Sequence, residues 1–348
     1  LSWGIKEGDK KCYISNSKLN TFLTCPFKYF IKYILGVKER DEFELFPDEW
    51  PDSLIKGNIY HEIYFQYFKE MRDKNKFPLS DKDSKSKNRL QDIGIEVFNE
   101  FCKTNKPPSQ YFADLFLEQL KADLNEWYNL EVEDQKEWIP IYFELPFGFK
   151  YKENADPEYP DPIQVQLDIN GEKVSVTAYI DRIDKHKKDP GRYRITDYKS
   201  GKPIKEYKYN DVNNSNSFQL ILYSEILKKS EIIKEINQID LRYYASTFKG
   251  KFEEACINAG NYDYNTNLND KILKSVYSSI KDGIFILNPG KNSCSAFYKK
   301  CPYMEICGDF RYKNYGFKFH ENNKDKLYKI KEIIENEWYS IWWSKRQR

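Results

Sequence analysis

Between Ser15 and Leu35 the apolar side chains fall at Leu19, Phe22, Leu23, Phe27, Phe30, Ile31 and Ile34, the spacing of one helical face. Pro26 interrupts it. Proline donates no helix hydrogen bond and pushes the preceding residue out of the α region. The pattern therefore predicts two short helices meeting at Cys25, with its sulfur free to reach outward from the corner. Ile55, Ile59, Ile63, Tyr67 and Phe68 predict a helix over 54–71, and the polar run DKNKFPLSDKDSKSK at 73–87 reads as a solvated loop. Two more helical patterns cover 88–101 and 111–130, the second carrying Leu115, Phe116, Leu120, Leu124 and Trp127. From Trp138 the texture changes to β-branched and aromatic strings: WIPIYFELPFGFKY, IQVQLDI and EKVSVTAYIDRI. Asn170-Gly171 between the last two is a hairpin signal. A strand over 192–199 follows the Lys187-to-Gly191 turn, then a helix over 217–229, a strand over 238–247 and a helix over 269–281. A cysteine-bearing segment and a charged, Trp-containing helix close the chain. The expectation is a helical N-terminal part (1–135, with Cys25 and His61), a mixed α/β core (136–285) and a Cys-bearing C-terminal segment (286–348).

Composition narrows this. With 28 Tyr and 23 Phe against 2 Met, aromatic rings must fill much of the core. Lys plus Arg number 56 and Asp plus Glu 54, a formal charge of +2, so any polyanion site must be a local groove rather than a basic coat. No apolar run approaches a membrane span. The opening Leu1-Ser-Trp-Gly-Ile-Lys-Glu carries no basic-then-apolar signal, and it lacks Met, as a trimmed chain would. Seven Cys in such a chain argue against a disulfide framework and for reduced thiols, some as metal ligands, in a cytoplasmic or other reducing intracellular compartment.

The chemistry concentrates on one hairpin. A turn centred at Asp189 sets a register in which Asp181 faces Asp197, Cβ atoms roughly 4.5–5.5 Å apart. Lys199, two residues on, shares the face of Asp197. Facing carboxylates repel, and a divalent cation removes that cost; hard oxygen ligands favour Mg²⁺ or Mn²⁺. The lysine would help activate an attacking water and stabilise charge on phosphorus. The plainer alternative is an Asp–Lys surface cluster in a lysine-rich protein.

The strings VTAYIDRID and RITDYKSGK resemble the core of PD-(D/E)xK nucleases of the RecB/AddB type. That group includes iron–sulfur exonucleases related to CRISPR adaptation nucleases and exonuclease V. The resemblance runs from SKLNTFLTCPFKYF at 17–30 to Cys307 and departs at Ala178, where the family often has Gly. It implies a restriction-endonuclease-like mixed sheet flanked by helices, with Asp181 and Asp197 binding metal and Lys199 catalytic. Asp184 matches an acid that is usually not a ligand, and alternation turns it to the opposite face. GNIYH, ending at His61, resembles the helical motif whose histidine completes the metal site. Gln219 and Tyr223 resemble the Q-x-x-x-Y motif, and at i and i+4 they share a helix face. Glu144, on the preceding strand, is an outside candidate.

Cys294, Cys301 and Cys307, with Cys25 far upstream, could hold a [4Fe–4S] cluster or a tetrahedral Zn²⁺. Zinc modules usually bring close C-x₂₋₄-C pairs, which are missing here. The split set instead resembles the cluster of AddB-type nucleases, although the first gap is longer than the family's. Buried cysteines acting as small hydrophobes are the alternative, and the preferred reading for Cys12, Cys102 and Cys256. Lys202, Lys205 and Lys208, with Tyr207 between them, suit phosphate contacts and base stacking on a single strand. No G-x-x-x-x-G-K-[ST] motif occurs, so no ATP motor is expected in this chain. The resulting expectation is a Mg²⁺- or Mn²⁺-dependent deoxyribonuclease, an exonuclease on single-stranded DNA or free ends in processing, repair or recombination, with a helicase or recombination partner and no membrane. Two rivals stay open: a catalytically idle iron–sulfur DNA-binding subunit of a larger helicase–nuclease, and a zinc-stapled interaction protein.

Overall fold

The computed structural model describes residues 13–39, 50–148, 161–201, 217–257, 262–285 and 301–307. A short strand, β1 (Tyr13–Ser15), leads into α1 (Asn16–Thr24), which Ser15 caps by accepting from Lys18 N at 3.3 Å. Cys25 is extended (φ −159°, ψ 106°), and Pro26 restarts the chain as α2 (Pro26–Tyr29) and a π turn over Phe30–Ile34. The two-helix corner is thus as the proline requires.

Three long helices follow: α3 (Ser53–Asp73), α4 (Ser84–Thr104) and α5 (Gln110–Asp134). Asp52 caps α3 by accepting from Leu54 N and Ile55 N at 2.9 and 2.8 Å. The solvated loop expected to reach Lys87 ends earlier, because the Asp83 carboxylate accepts from Ser86 N at 3.1 Å and starts α4 at Ser84.

The strands are β2 (Trp138–Phe147), β3 (Gln166–Ile169), β4 (Glu172–His186) and β5 (Arg192–Lys199). Then come α6 (Ser217–Ser230), β6 (Gln238–Ala245), β7 (Glu254–Ile257), α7 (Tyr262–Lys281) and a single turn, α8 (Met304–Cys307). α7 begins seven positions before the expected 269. Asn170 and Gly171 both take positive φ (55° and 81°), the type I′ hairpin that their sequence demands. The sheet is mixed, as expected. β4 pairs with β1 in parallel and with β2, β3 and β5 antiparallel, while β5 and β6 run parallel through the α6 crossover, and β7 closes the edge. Arg182 pairs with Thr196 and Ile183 with Ile195, the register that points Asp181 at Asp197.

The sheet separates two cores. Leu145, Ile180, Ile195, Leu220 and Leu241 pack on the side of α1, α6 and α7. Tyr64, Phe68, Trp127, Phe143 and Tyr198 pack on the side of α3–α5, where Tyr64 stacks on Trp127 with centroids 4.3 Å apart. Aromatic rings do fill this core. Strand alternation lapses in the middle of the β2–β4 pair: Phe143 and Leu145 lie in different cores, and Ile180 packs in the first core while the Arg182 guanidinium lies 4.7 Å from the Phe68 ring in the second. Glu144 sits at the lapse with φ +45°, a left-handed conformation costing about 1–3 kcal/mol for a non-glycine residue. Phe143 pairs with Arg182 and Leu145 with Ile180, so Glu144 falls opposite Asp181.

Beneath the sheet lies a buried ionic network that no local pattern in the sequence announces. Asp184, fully buried, accepts from Arg182 Nε at 2.5 Å and Arg194 Nε at 2.9 Å. Arg182 also donates to Glu131 at 2.7 Å, while Arg194 and Arg242 converge on Asp134. Burial opposes charge on Asp134, yet Arg242 and Arg194 outweigh it and hold its carboxyl well below the usual range. Removing one partner strands buried charge. Asp184→Ala is therefore expected to cost about 3–5 kcal/mol in urea unfolding. A loss below about 1 kcal/mol would show that the arginines re-pair without it.

Candidate active site

Five elements aim side chains at the point where alternation lapses in β2 and β4. α3 supplies His61, β2 Glu144, β4 Asp181, β5 Asp197 and Lys199, and α6 Gln219 and Tyr223. The nitrogen of His61 and the carboxylate oxygens of Glu144 and Asp181 all lie within 4.8 Å of one another. His61 Nδ1 is 3.3 Å from Glu144 Oε1 and 3.5 Å from Asp181 Oδ2. Its other nitrogen, Nε2, lies 3.3 Å from Tyr198 O. A carbonyl only accepts, so Nε2 carries the hydrogen and Nδ1 turns its lone pair, or a second proton, toward the acids.

The Asp181–Asp197 pairing follows the expected register, with one refinement. The β4–β5 ladder stops at Arg182–Thr196, and the Asp181 carboxylate itself accepts from Tyr198 N at 2.9 Å. Asp197 stands beside the His61–Glu144–Asp181 group rather than inside it. Its Oδ1 accepts from Gln219 Nε2 at 2.6 Å, and its Oδ2 pairs with the Lys199 ammonium. Gln219 also donates to Tyr223 Oη at 3.0 Å, so both residues of the i, i+4 pair reach the site. The Lys199 ammonium lies 5.3 Å from the Tyr243 ring centroid.

The site is buried below and open above. Glu144, Asp181 and Asp197 side chains are 8%, 9% and 3% exposed, whereas His61 and Lys199 are 24% and 26%. Burial first, then Asp197 and Glu144 nearby, push the Asp181 carboxyl up to about 7 against the attraction of His61 and Lys199. Burial resists charge on His61, but Asp181, Glu144 and Asp197 prevail and raise it to about 9. Burial, with Asp197 and Asp181 close by, drives the Tyr223 hydroxyl well above its usual value. Such concentrated negative charge is what a cation site requires, and two carboxylates with an imidazole are donors that fit Mg²⁺ or Mn²⁺.

Asp184 turns away from this pocket into the ionic network, as alternation predicted. Glu144 is more central than an outside candidate. The available signal was one acid inside the apolar string IYFELPF, where burying a charge demands a partner. Lys202, Lys205, Tyr207, Lys208 and Cys294 lie outside the described residues. Cys25 is buried at 7% rather than reaching outward, and on either side of this corner Phe22 and Tyr29 are buried in the first core, in edge-to-face contact at 5.5 Å. Cys301 and Cys307 are half-buried, and Tyr303 between them donates to Val37 O at 3.0 Å, tying this segment to the chain beyond the π turn. Among the described residues, no helix is long and apolar enough to cross a membrane.

This arrangement has relatives. In Clostridium novyi, the B component of the ATP-dependent helicase/deoxyribonuclease is 34% identical to the chain over 234 residues, a match covering 65% of this chain and 19% of that protein. The protein of the same name from Acetivibrio thermocellus is 32% identical over 228 residues, covering 65% and 18%. The chain thus spans about a fifth of the length of the curated relatives it matches. The crystal structure of a candidate exonuclease from Eubacterium rectale aligns with 89% of this chain and 96% of that one, at 12% identity and a TM-score of 0.43, too loose a likeness to carry weight. The model of the PD-(D/E)XK nuclease superfamily matches residues 13–308, a span that takes in β1 to α8 and every acid of the pocket, and the chain belongs to that superfamily.

Proposed function

We propose that this chain is a divalent-metal-dependent deoxyribonuclease that hydrolyses phosphodiester bonds of single-stranded DNA from free ends, in DNA processing, repair or recombination. The observation that carries this reading is the gathering of His61, Glu144 and Asp181 within 4.8 Å, with the Asp197–Lys199 pair beside them. His61, Asp181 and Asp197, with Glu144, would hold Mg²⁺ or Mn²⁺. When bound, the ion supplies Lewis-acid stabilisation of the charge that builds on the attacked phosphate. Lys199, open to the pocket mouth, donates to the attacking water or to a phosphate oxygen and neutralises negative charge there. Gln219 fixes Asp197 through its amide, and Tyr223 fixes Gln219, so the two position the acid and the strand. The name of the relatives supports a helicase partner, from which unwinding would then come.

We further infer that Cys25, Cys294, Cys301 and Cys307 hold a [4Fe–4S] cluster, with Zn²⁺ as the alternative occupant. The support is the donor set itself, four cysteines of which three lie within 294–307, together with the Tyr303–Val37 tie that joins the segment of Cys301 and Cys307 to the N-terminal part of the chain. Its role would be to staple the ends of the fold together across a very long loop.

On end-labelled single-stranded DNA, Mg²⁺ or Mn²⁺ should support shortening that EDTA stops, and Lys199→Ala should slow it by roughly 10²–10³-fold. Equal cleavage by that variant would sink the assignment. The acidity of the pocket gives a second test. Asp181 and His61 both have raised values, so the metal-free fold holds more protons than the unfolded chain from about pH 4 to 7 and from about pH 6.5 to 9. Their contribution to stability is complete at low pH and is lost as pH rises through about 7 and then about 9. The melting temperature in EDTA should therefore fall across this range, Mn²⁺ should restore more of it at pH 8 than at pH 6, and Asp181→Asn should flatten both trends. Finally, protein purified under nitrogen should be brown, and Cys301→Ser should lose the colour and melt earlier. Colourless protein would exclude the cluster, and an unchanged visible spectrum in the variant would strike Cys301 from its ligands.

A further inference from the structure

The end of β6 beside Lys199 runs into a turn that the chemistry above does not use. Ala245 pairs with Lys199, Ser246 N donates to Lys199 O at 3.0 Å, and Thr247 Oγ1 donates to Ser200 O at 3.2 Å. Residues 246–247 therefore lie against the strand end that presents the lysine. Phe248–Gly250 then form one 3₁₀ turn, capped by Thr247 Oγ1 accepting from Gly250 N at 3.2 Å. Buried Asp123 of α5 accepts from Phe248 N at 2.8 Å and from Tyr60 Oη at 2.5 Å. Gly250 approaches so closely that a Cβ there would stand 2.6 Å from Ala245 Cβ and 3.2 Å from Gly201 O. Two successive non-glycine residues, Lys251 (φ 59°) and Phe252 (φ 51°), then take the left-handed conformation, a strain that persists only where the surroundings impose it.

All this rigidity displays an apolar ring. Phe248 is 55% exposed, braced edge-on by Phe252 with centroids 5.1 Å apart, and flanked by exposed Lys249 and Lys251. Gly57 of α3 approaches Ser200 Oγ, and His61 follows one turn, about 6 Å, along the same helix. The turn is thus joined through Ser200 to the end of the strand that carries Lys199 and to the helix that carries His61. We propose that Phe248 is a stacking platform for one base of a single DNA strand on its way to Lys199, with Lys249 and Lys251 meeting the phosphates; this rests on the nuclease reading. A duplex hides its base faces within the stack, so a fixed exposed ring favours an unpaired strand.

The test uses the Lys199→Ala chain, which keeps the strand uncut, and anisotropy of a fluorescein-labelled oligothymidylate in Mg²⁺. Phe248→Ala should raise Kd about tenfold and Phe248→Trp should restore it. On an abasic strand of equal length neither change should matter, which separates stacking from a general loosening of the turn. Lys249→Ala and Lys251→Ala should weaken both strands and lower the slope of log K against log salt by about 0.7 each. Equal oligothymidylate binding with and without the Phe248 ring would overturn the platform, and so would an equal loss on the abasic strand. Cleavage by the wild-type chain without dependence of Kd on Phe248 would sink the platform alone. Neither binding nor cleavage by the wild type would sink the nuclease reading with it.

Discussion

Three carboxylates held close together in a buried pocket dominate this molecule. Glu144, Asp181 and Asp197 repel one another, and the cationic groups of His61 and Lys199 stand against them. Everything around the pocket resists that repulsion. The β4–β5 register brings the acids together, the Tyr198 amide holds Asp181, the Gln219 amide holds Asp197, and α3 lays an imidazole across the group. The left-handed backbone at Glu144 belongs to the same constraint, since it lets one strand serve the second core at Phe143 and the first at Leu145 while its acid faces Asp181.

Charge is handled in two opposite ways around the sheet. On the α3–α5 side, Arg182, Arg194 and Arg242 interleave with Glu131, Asp134 and Asp184, so buried charge is balanced and fixed. In the pocket, negative charge is left in excess. Tyr198 joins them: its hydroxyl accepts from Arg182 at 3.0 Å, its amide holds Asp181 and its carbonyl faces His61. A rigid, neutralised network thus braces a reactive pocket, the support that a precise site needs from its surroundings.

Much of this was legible in the sequence wherever a local rule acts alone. Pro26 dictated the corner at Cys25, Asn170-Gly171 the tight hairpin, and the turn at Asp189 the pairing that brings Asp181 to Asp197, since each depends on a few neighbouring residues. The i, i+4 spacing of Gln219 and Tyr223 likewise carried over. What stayed hidden depends on the third dimension. Glu144 could be placed centrally only with the lapse known, and the arginine network needs partners from α5, β4, β5 and β6 at once. The Asp83 cap was missed because a polar, lysine-rich string looks alike in a loop and in a helix's first turn.

The pocket draws on residues 61, 144, 181, 197 and 219, and its sheet pairs strands remote along the chain. Contacts of such span form late in folding, after local helices and hairpins. During synthesis, when domains emerge at about 5–20 residues per second, α3 would leave the ribosome many seconds before α6. A nascent chain would therefore carry half a pocket for that interval, with His61 present but Gln219 absent. The completed pocket would arrive only once α6 has joined the sheet and its Gln219 has reached Asp197.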